Sequence, residues 1–196
     1  SAFLRDMGIT SPIHPVEDFT KPQKEKINFT LIANPPDIDD SKFDRVVTYL
    51  RTLAPPAQRN ANDPSVKRGN ILFHKIGCAN CHTPSLRTGS DAAIDELKNQ
   101  PIKPYTDLLL HDMGEGLADG IQDSLASGSE WRTPPLWGIG LTKTVNGNTF
   151  FLHDGRARSI EEAILWHGGE GSESRKNYSS LSFDDKDDLL NFINSL

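Results

Sequence analysis

Cys78-Ala79-Asn80-Cys81-His82 constrains this chain more than any other stretch. Its two cysteines are the only ones among 196 residues, and a histidine follows the second directly. Two sulfurs on one tight turn reach the two vinyl groups of a haem and form thioethers. The next residue's imidazole then lies under the iron as proximal ligand. Three other chemistries use two nearby cysteines. A redox pair needs a thioredoxin-like βαβ setting, and no strand–helix alternation surrounds this one. A zinc site needs a partner pair at finger spacing, which the six histidines do not supply. A disulfide across two residues is strained and closes almost no loop. One covalently attached haem c, held by Cys78, Cys81 and His82, is the expectation.

Composition fits a core that is partly cofactor. The hydrophobic fraction is 36% and the mean hydropathy −0.49, low for a self-sufficient core, and a buried haem adds apolar bulk. Thirteen prolines and fifteen glycines indicate much loop. A net charge of −6 argues against nucleic acid or an anionic membrane as partner. No apolar run approaches membrane-spanning length, and no charged-then-apolar leader stands at Ser1. A c-type haem protein is exported for haem attachment, so a removed leader and a periplasmic or otherwise exported location are expected. The opening Ser1-Ala2-Phe3-Leu4-Arg5-Asp6-Met7-Gly8-Ile9-Thr10 reads as mid-protein sequence, so the chain is expected to be part of something longer.

The chain divides by pattern into two stretches. Residues 1–38 carry recurrent prolines and no sustained period, and read as an irregular arm or inter-domain segment. Residues 39–196 read as a mostly α-helical, cytochrome c-like haem domain with long loops. Phe43, Val46, Val47, Leu50 and Leu53 make one helical face that begins at Asp40 or Ser41 and ends at Pro55-Pro56. A helix from Pro64 or Ser65, with Val66, Gly69, Leu72, Phe73 and Ile76 on one side, runs into the haem turn. Gly69 admits a second helix at close range. That partner is the last helix, opened by Ser182-Phe183-Asp184-Asp185 and buried along Leu189, Phe192, Ile193 and Leu196. Ser159-Ile160-Glu161-Glu162 opens a short helix through Trp166-His167, stopped by Gly168-Gly169. Asn146-Gly147-Asn148 within Leu141–Leu152 reads as a small β-hairpin. Residues 83–105 and 168–180 read as loops.

The ligand above the iron decides the chemistry. A thioether gives a higher-potential electron carrier, a second imidazole lowers the potential, and a vacant position admits peroxide or oxygen. Only Met7 and Met113 are methionines. Met113 follows Leu108-Leu109-Leu110-His111-Asp112 and precedes Gly114, in a polar loop able to curl over a haem face, and is the expected second metal ligand with His82. The bland alternative is a methionine filling a core gap. His153, followed by Asp154-Gly155-Arg156, is a candidate at the haem edge against the simpler role of a loop hydrogen-bonding histidine. His111, His153 and His167 are the histidine rivals to Met113 for the iron; His111 is otherwise a candidate neighbour of Met113, and His167 reads most simply as a helix-end histidine. Arg156 and Arg158, and likewise Arg132 and Trp131, are candidates for haem propionates against ordinary surface pairing. Trp131, Trp137 and Trp166 read as haem-pocket or core packing.

Several of these blocks occur in one order. They are Gly77-Cys78-Ala79-Asn80-Cys81-His82-Thr83-Pro84 and Tyr105-Thr106-Asp107-Leu108-Leu109-Leu110-His111-Asp112-Met113-Gly114. Trp131-Arg132-Thr133-Pro134-Pro135-Leu136-Trp137-Gly138 and Phe151-Leu152-His153-Asp154-Gly155-Arg156-Ala157-Arg158, running on to Trp166-His167-Gly168-Gly169-Glu170, follow. Together they resemble the bacterial di-haem oxidoreductases of the CxxC, or thiol oxidoreductase, type, which are related more distantly to di-haem cytochrome c peroxidases and MauG-like enzymes. The resemblance implies two cytochrome c-like domains with one haem each, this one being the electron-relay half. His82 is then the proximal and Met113 the distal ligand, and the distant peroxidase resemblance adds a calcium ion between the domains. This chain departs from the pattern in holding a single C-x-x-C-H. One-electron transfer at a His82–Met113 haem, to a redox partner protein or a second haem domain, is therefore the expected work. A peroxidase-like enzyme with an open or displaceable distal site is the alternative.

Overall fold

The computed structural model describes residues 2–17, 19, 23, 25–26, 35–123 and 125–196. These fall into two compact units, residues 1–54 and 55–196. In the first, Ala2–Met7 forms helix α1 inside the stretch expected to be irregular, and most of 18–34 lies outside the described residues. Asp37 fixes the chain that follows α1: its carboxylate accepts Thr10 N–H and Oγ1–H at 2.9 and 2.7 Å. Helix α2, Asp40–Thr52, starts where the apolar period starts, with Asp39 accepting Lys42 N–H.

The second unit is built on one helix crossing. Helix α3, Pro64–Lys75, has proline in its first turn and Asp63 as N-cap. Helix α7, Phe183–Ser195, is capped by Ser182, whose hydroxyl accepts Asp185 N–H at 3.2 Å. Val66, Gly69, Leu72 and Phe73 are buried on α3, as are Leu189, Phe192 and Ile193 on α7. At the crossing Gly69 faces the Asp188 carbonyl and Phe192 Cβ, so backbone meets backbone with no room for a side chain. The ring of Phe73 lies edge-on to Phe192 and Tyr105, with centroids 5.3 and 6.0 Å apart. This aromatic cluster reaches His82, whose ring centre is 6.3 Å from that of Phe73. Burial of one α3 face therefore sets where the Cys78–His82 turn leaves the core.

An ion pair crosses the same seam. Arg68 Nε and Nη2 donate to the two oxygens of Asp188 at 2.6 and 2.8 Å, and the Asp188 side chain is only 11% exposed. The guanidinium holds the Asp188 carboxyl below the usual carboxylate range, with help from Ser65. A depressed carboxylate contributes stability that is present above the unfolded value, 3.8, and is lost as pH falls through the folded one. Asp188→Asn should therefore melt at a lower temperature than the parent at pH 7. Melts taken down to about pH 2.5 should show the two curves converging. A gap that is constant in pH would exclude the ion pair as its cause.

The remaining elements line the loops between α3 and α7. Among the described residues there are two small antiparallel ribbons: β1, Leu86–Arg87, with β2, Pro101–Ile102, and β3, Leu110–Asp112, with β4, Glu130–Arg132. In the second, His111 lies opposite Trp131. The hairpin expected over Leu141–Leu152 does not form. Thr142–Asn146 is instead helix α4, and Gly147, at φ 75°, ends it as a C-terminal cap. Asn-Gly suits a hairpin turn and a helix cap alike, because both need positive φ, and here the cap wins. Helix α5, Ile160–Trp166, is opened by Ser159 as its sequence requires, with Ser159 Oγ accepting Glu162 N–H at 3.0 Å. Helix α6, Ser172–Ser179, lies within a stretch read as loop; only Tyr178 on it is buried, which leaves no apolar period to read. The whole is a mostly helical, cytochrome c-like fold with long connections. Among the described residues no helix is long and apolar enough to cross a membrane.

Candidate haem site

Helix α3 ends at Ile76, and Gly77, at φ 94°, turns the chain into a short 3-10 turn, Cys78–Asn80. The turn is closed by His82 N–H to the Cys78 carbonyl at 3.0 Å. Both cysteines are unpaired and half-buried. Burial pushes the Cys78 thiol up to about 12, and burial together with Asp107 and Glu170 pushes up that of Cys81. The turn is anchored across the loop by Asp107 N–H to the Cys81 carbonyl, 2.9 Å, and by Thr106 N–H to the Thr83 carbonyl, 3.0 Å.

His82 is oriented from behind. Its Nδ1 lies 3.1 Å from the carbonyl of Tyr105, which fixes the proton on Nδ1 and leaves the lone pair on Nε2. Burial pushes the imidazole down to about 4, so it is neutral at physiological pH. A metal-ligating histidine needs that state and that second hydrogen bond. Two free thiols on the same turn complete a donor set that fits a covalently attached haem.

A second imidazole, half-buried like that of His82, stands close enough to feel its charge. His167, the C-cap of α5, donates Nδ1–H to the Ala163 carbonyl at 2.7 Å, so its lone pair is also on Nε2. Burial lowers its pKa, and a charge on it would oppose a charge on His82. Met113 packs beside it. A Cβ placed on Gly171 would lie 3.2 Å from Met113 Cε and 3.2 Å from His167 Cβ. The segments carrying the two side chains touch through their backbones: a Cβ on Gly168 would lie 2.6 Å from the Met113 carbonyl, and one on Gly114 would lie 3.0 Å from Gly169 N. Met7, the other methionine, is exposed in the first unit.

His111 lies between two carboxylates. Its Nε2 is 2.8 Å from Asp107 Oδ2 and its Nδ1 is 2.9 Å from Glu170 Oε2. Both raise its pKa, Glu170 more than Asp107, so the imidazolium form is favoured. Cys81 Sγ is 3.7 Å from the same Nδ1, and Cys81, Asp107 and His111 are the set among the described residues with metal-ligand spacing. With His111 engaged on both nitrogens, that set reads as a hydrogen-bonded cluster.

The other sequence candidates form a neighbouring group. Trp131 stacks on His153 with ring centres 3.7 Å apart and planes at 12°, and its Nε1–H donates to the Leu117 carbonyl at 3.0 Å. Arg156 donates to Asp154 at 2.6 Å and to the Gly116 carbonyl, while its guanidinium lies 4.8 Å over Trp166. Arg132 is exposed at the end of β4, opposite Leu110. The structure thus joins Met113 to His167 and His153 to Trp131. It ties Arg156 to its own loop.

A family model described as "Di-haem oxidoreductase, putative peroxidase" matches residues 2–196. The chain belongs to this family. The di-haem oxidoreductase family implies a haem cofactor, in agreement with the donor set at Cys78, Cys81 and His82. Among solved structures, a chain of Kuenenia stuttgartiensis hydrazine synthase, determined under 20 bar of xenon, has the same fold with a TM-score of 0.51 at 20% identity. The similarity covers 82% of this chain and 57% of that one. Comparison with curated proteins finds no match.

Proposed function

We propose that the chain carries one haem c, bonded through Cys78 and Cys81 and ligated by His82, and serves as the electron-transfer domain of a di-haem oxidoreductase. The observation that carries this reading is the neutral, half-buried His82, held by Tyr105 with Nε2 free, on the turn that bears both thiols. When bound, a haem supplies a one-electron couple whose potential and reactivity follow its axial ligands, burial and hydrogen bonding. The chain's own residues set those terms. Tyr105 fixes the His82 tautomer, the α3–α7 core carries the turn, and His111 with its carboxylates holds the loop beside Cys81. In this reading the natural redox partner is a second haem domain or a separate redox protein, and the mature protein works in the periplasm.

Met113 is the sixth ligand favoured by residue type. A second reading, His167, rests on a specific observation: its half-buried ring is held in the neutral form by desolvation, and Ala163 directs the lone pair to Nε2. Met113 has no comparable orienting contact, and its methyl packs near the His167 ring. The geometry therefore favours His167, with Met113 as its packing neighbour. Either ligand gives a six-coordinate, low-spin centre, as electron transfer requires. An open position, as a peroxidase needs, is the alternative.

The attachment is tested directly. Haem should remain with the chain through acidified-acetone extraction, at one per chain, with the pyridine haemochrome spectrum of two thioethers. The double variant Cys78→Ala, Cys81→Ala should release essentially all of it. Retention of haem by the double variant, or zinc in place of haem in the parent, would overturn the reading.

A further inference from the structure

We propose that Glu170 is a positioning residue that clamps the Met113-bearing segment to the His167-bearing turn and so keeps the sixth position closed; this rests on the haem reading above. Two segments, residues 107–114 and 167–171, meet in the neighbourhood of His82, which feels the charges of Asp107, His111 and His167. Where they touch, Gly114, Gly168 and Gly169 bring bare backbone against backbone, and such surfaces offer no interlocking side chains. Glu170 ties them instead. Oε1 accepts Asp112 N–H at 3.0 Å, and Oε2 accepts His111 Nδ1–H at 2.9 Å. His111 passes the tie on, its Nε2–H reaching Asp107 at 2.8 Å. Asp107 is fixed in turn by Leu109 N–H, 2.9 Å, and by its own N–H to the Cys81 carbonyl, 2.9 Å. One carboxylate thus links the turn after α5, the Met113 segment and the thioether turn.

Its exposure says what kind of effect to expect. The Glu170 side chain is 57% exposed, and pairs open to solvent contribute little to global stability. The Asp107 and His111 side chains, at 15% and 16%, are largely shielded. The clamp therefore acts on local opening rather than on unfolding as a whole. A residue that merely supported the fold would lower the melting temperature without changing access to the iron.

The experiment uses the haem-loaded full chain and carbon monoxide as probe. Reduced parent should be low-spin and bind carbon monoxide slowly. Glu170→Ala should bind it about tenfold faster or more, a shift set by the larger open population, while its melting temperature stays within about 3 °C of the parent. Hydrogen exchange at the Asp112 and Gly114 amides should quicken in the same variant. Glu170→Gln, which keeps one acceptor oxygen, should fall between. His111→Gln breaks the tie from the other side and should speed binding as well, so failure of Glu170→Ala to load haem leaves the proposal open to refutation. A low-spin parent whose Glu170→Ala and His111→Gln forms bind no faster would overturn the clamp alone. A parent already high-spin and quick to bind would overturn the six-coordinate reading and the clamp with it.

Discussion

His167→Ala should convert the ferric protein from low-spin to high-spin and open the reduced form to carbon monoxide, whereas Met113→Ala should leave it low-spin. The difference follows from how the two side chains are held. His167 has its tautomer fixed by Ala163 and its charge suppressed by burial, two conditions that a neutral ligating imidazole must meet. Met113 meets the weaker condition of proximity: it is half-buried, and the shape of the glycine-rich turn sets its place. Electron paramagnetic resonance of the ferric forms separates the cases. The near-infrared spectrum adds a second criterion, since a thioether on ferric haem gives a weak charge-transfer band there and a pair of imidazoles does not. Such a band in the parent, lost in Met113→Ala, would reverse the assignment and restore the ligand expected from residue type. Two imidazoles would also give the lower potential of the two ligand sets.

The two ligand readings differ because of where sequence reasoning stops. The Cys78–His82 turn is legible because its chemistry is local: thiols and imidazole must be adjacent, and they are. The helices that carry it are legible because burial has a period, and the α3 and α7 residues expected to face inward are those found buried. His167 stands in the sequence as one histidine rival to Met113 for the iron, but at the end of a helix, where solvent and the helix dipole offer it a simpler role. Its burial depends on the Met113 segment, more than fifty positions earlier in the chain, folding over it. Glu170 is hidden in the same way, its partners His111 and Asp112 lying 59 and 58 positions away. The misread hairpin has a different cause. Asn146-Gly147 supplies positive φ without saying whether a strand or a helix ends there, and the exposed α4 carries no buried face to decide it.

Gly69→Ala should cost about 3 kcal/mol, although alanine is the better helix former by about 1 kcal/mol. The two terms oppose each other, and the crossing decides between them. A Cβ on Gly69 would lie 2.6 Å from Phe192 Cβ and would overlap the Asp188 carbonyl, a backbone atom unable to rotate away. One of the two helices must shift. Overpacking usually costs about 1–3 kcal/mol, and overlap with a backbone atom that cannot move puts it above that range, at about 4, which leaves about 3 after the propensity gain. For a chain of this size the net loss corresponds to a melting temperature lower by about 6–12 °C. Gly116→Ala is the control, because nothing lies within 4 Å of its built Cβ, and it should stay within about 0.5 kcal/mol of the parent. The consequence reaches the site, since α3 runs directly into Cys78 and Phe73 packs near His82. Displacing α3 from α7 moves the thiols and the proximal imidazole together, so Gly69→Ala should also lower the haem recovered per chain. A variant as stable as the parent, with full haem content, would mean that the helices do not cross at this distance.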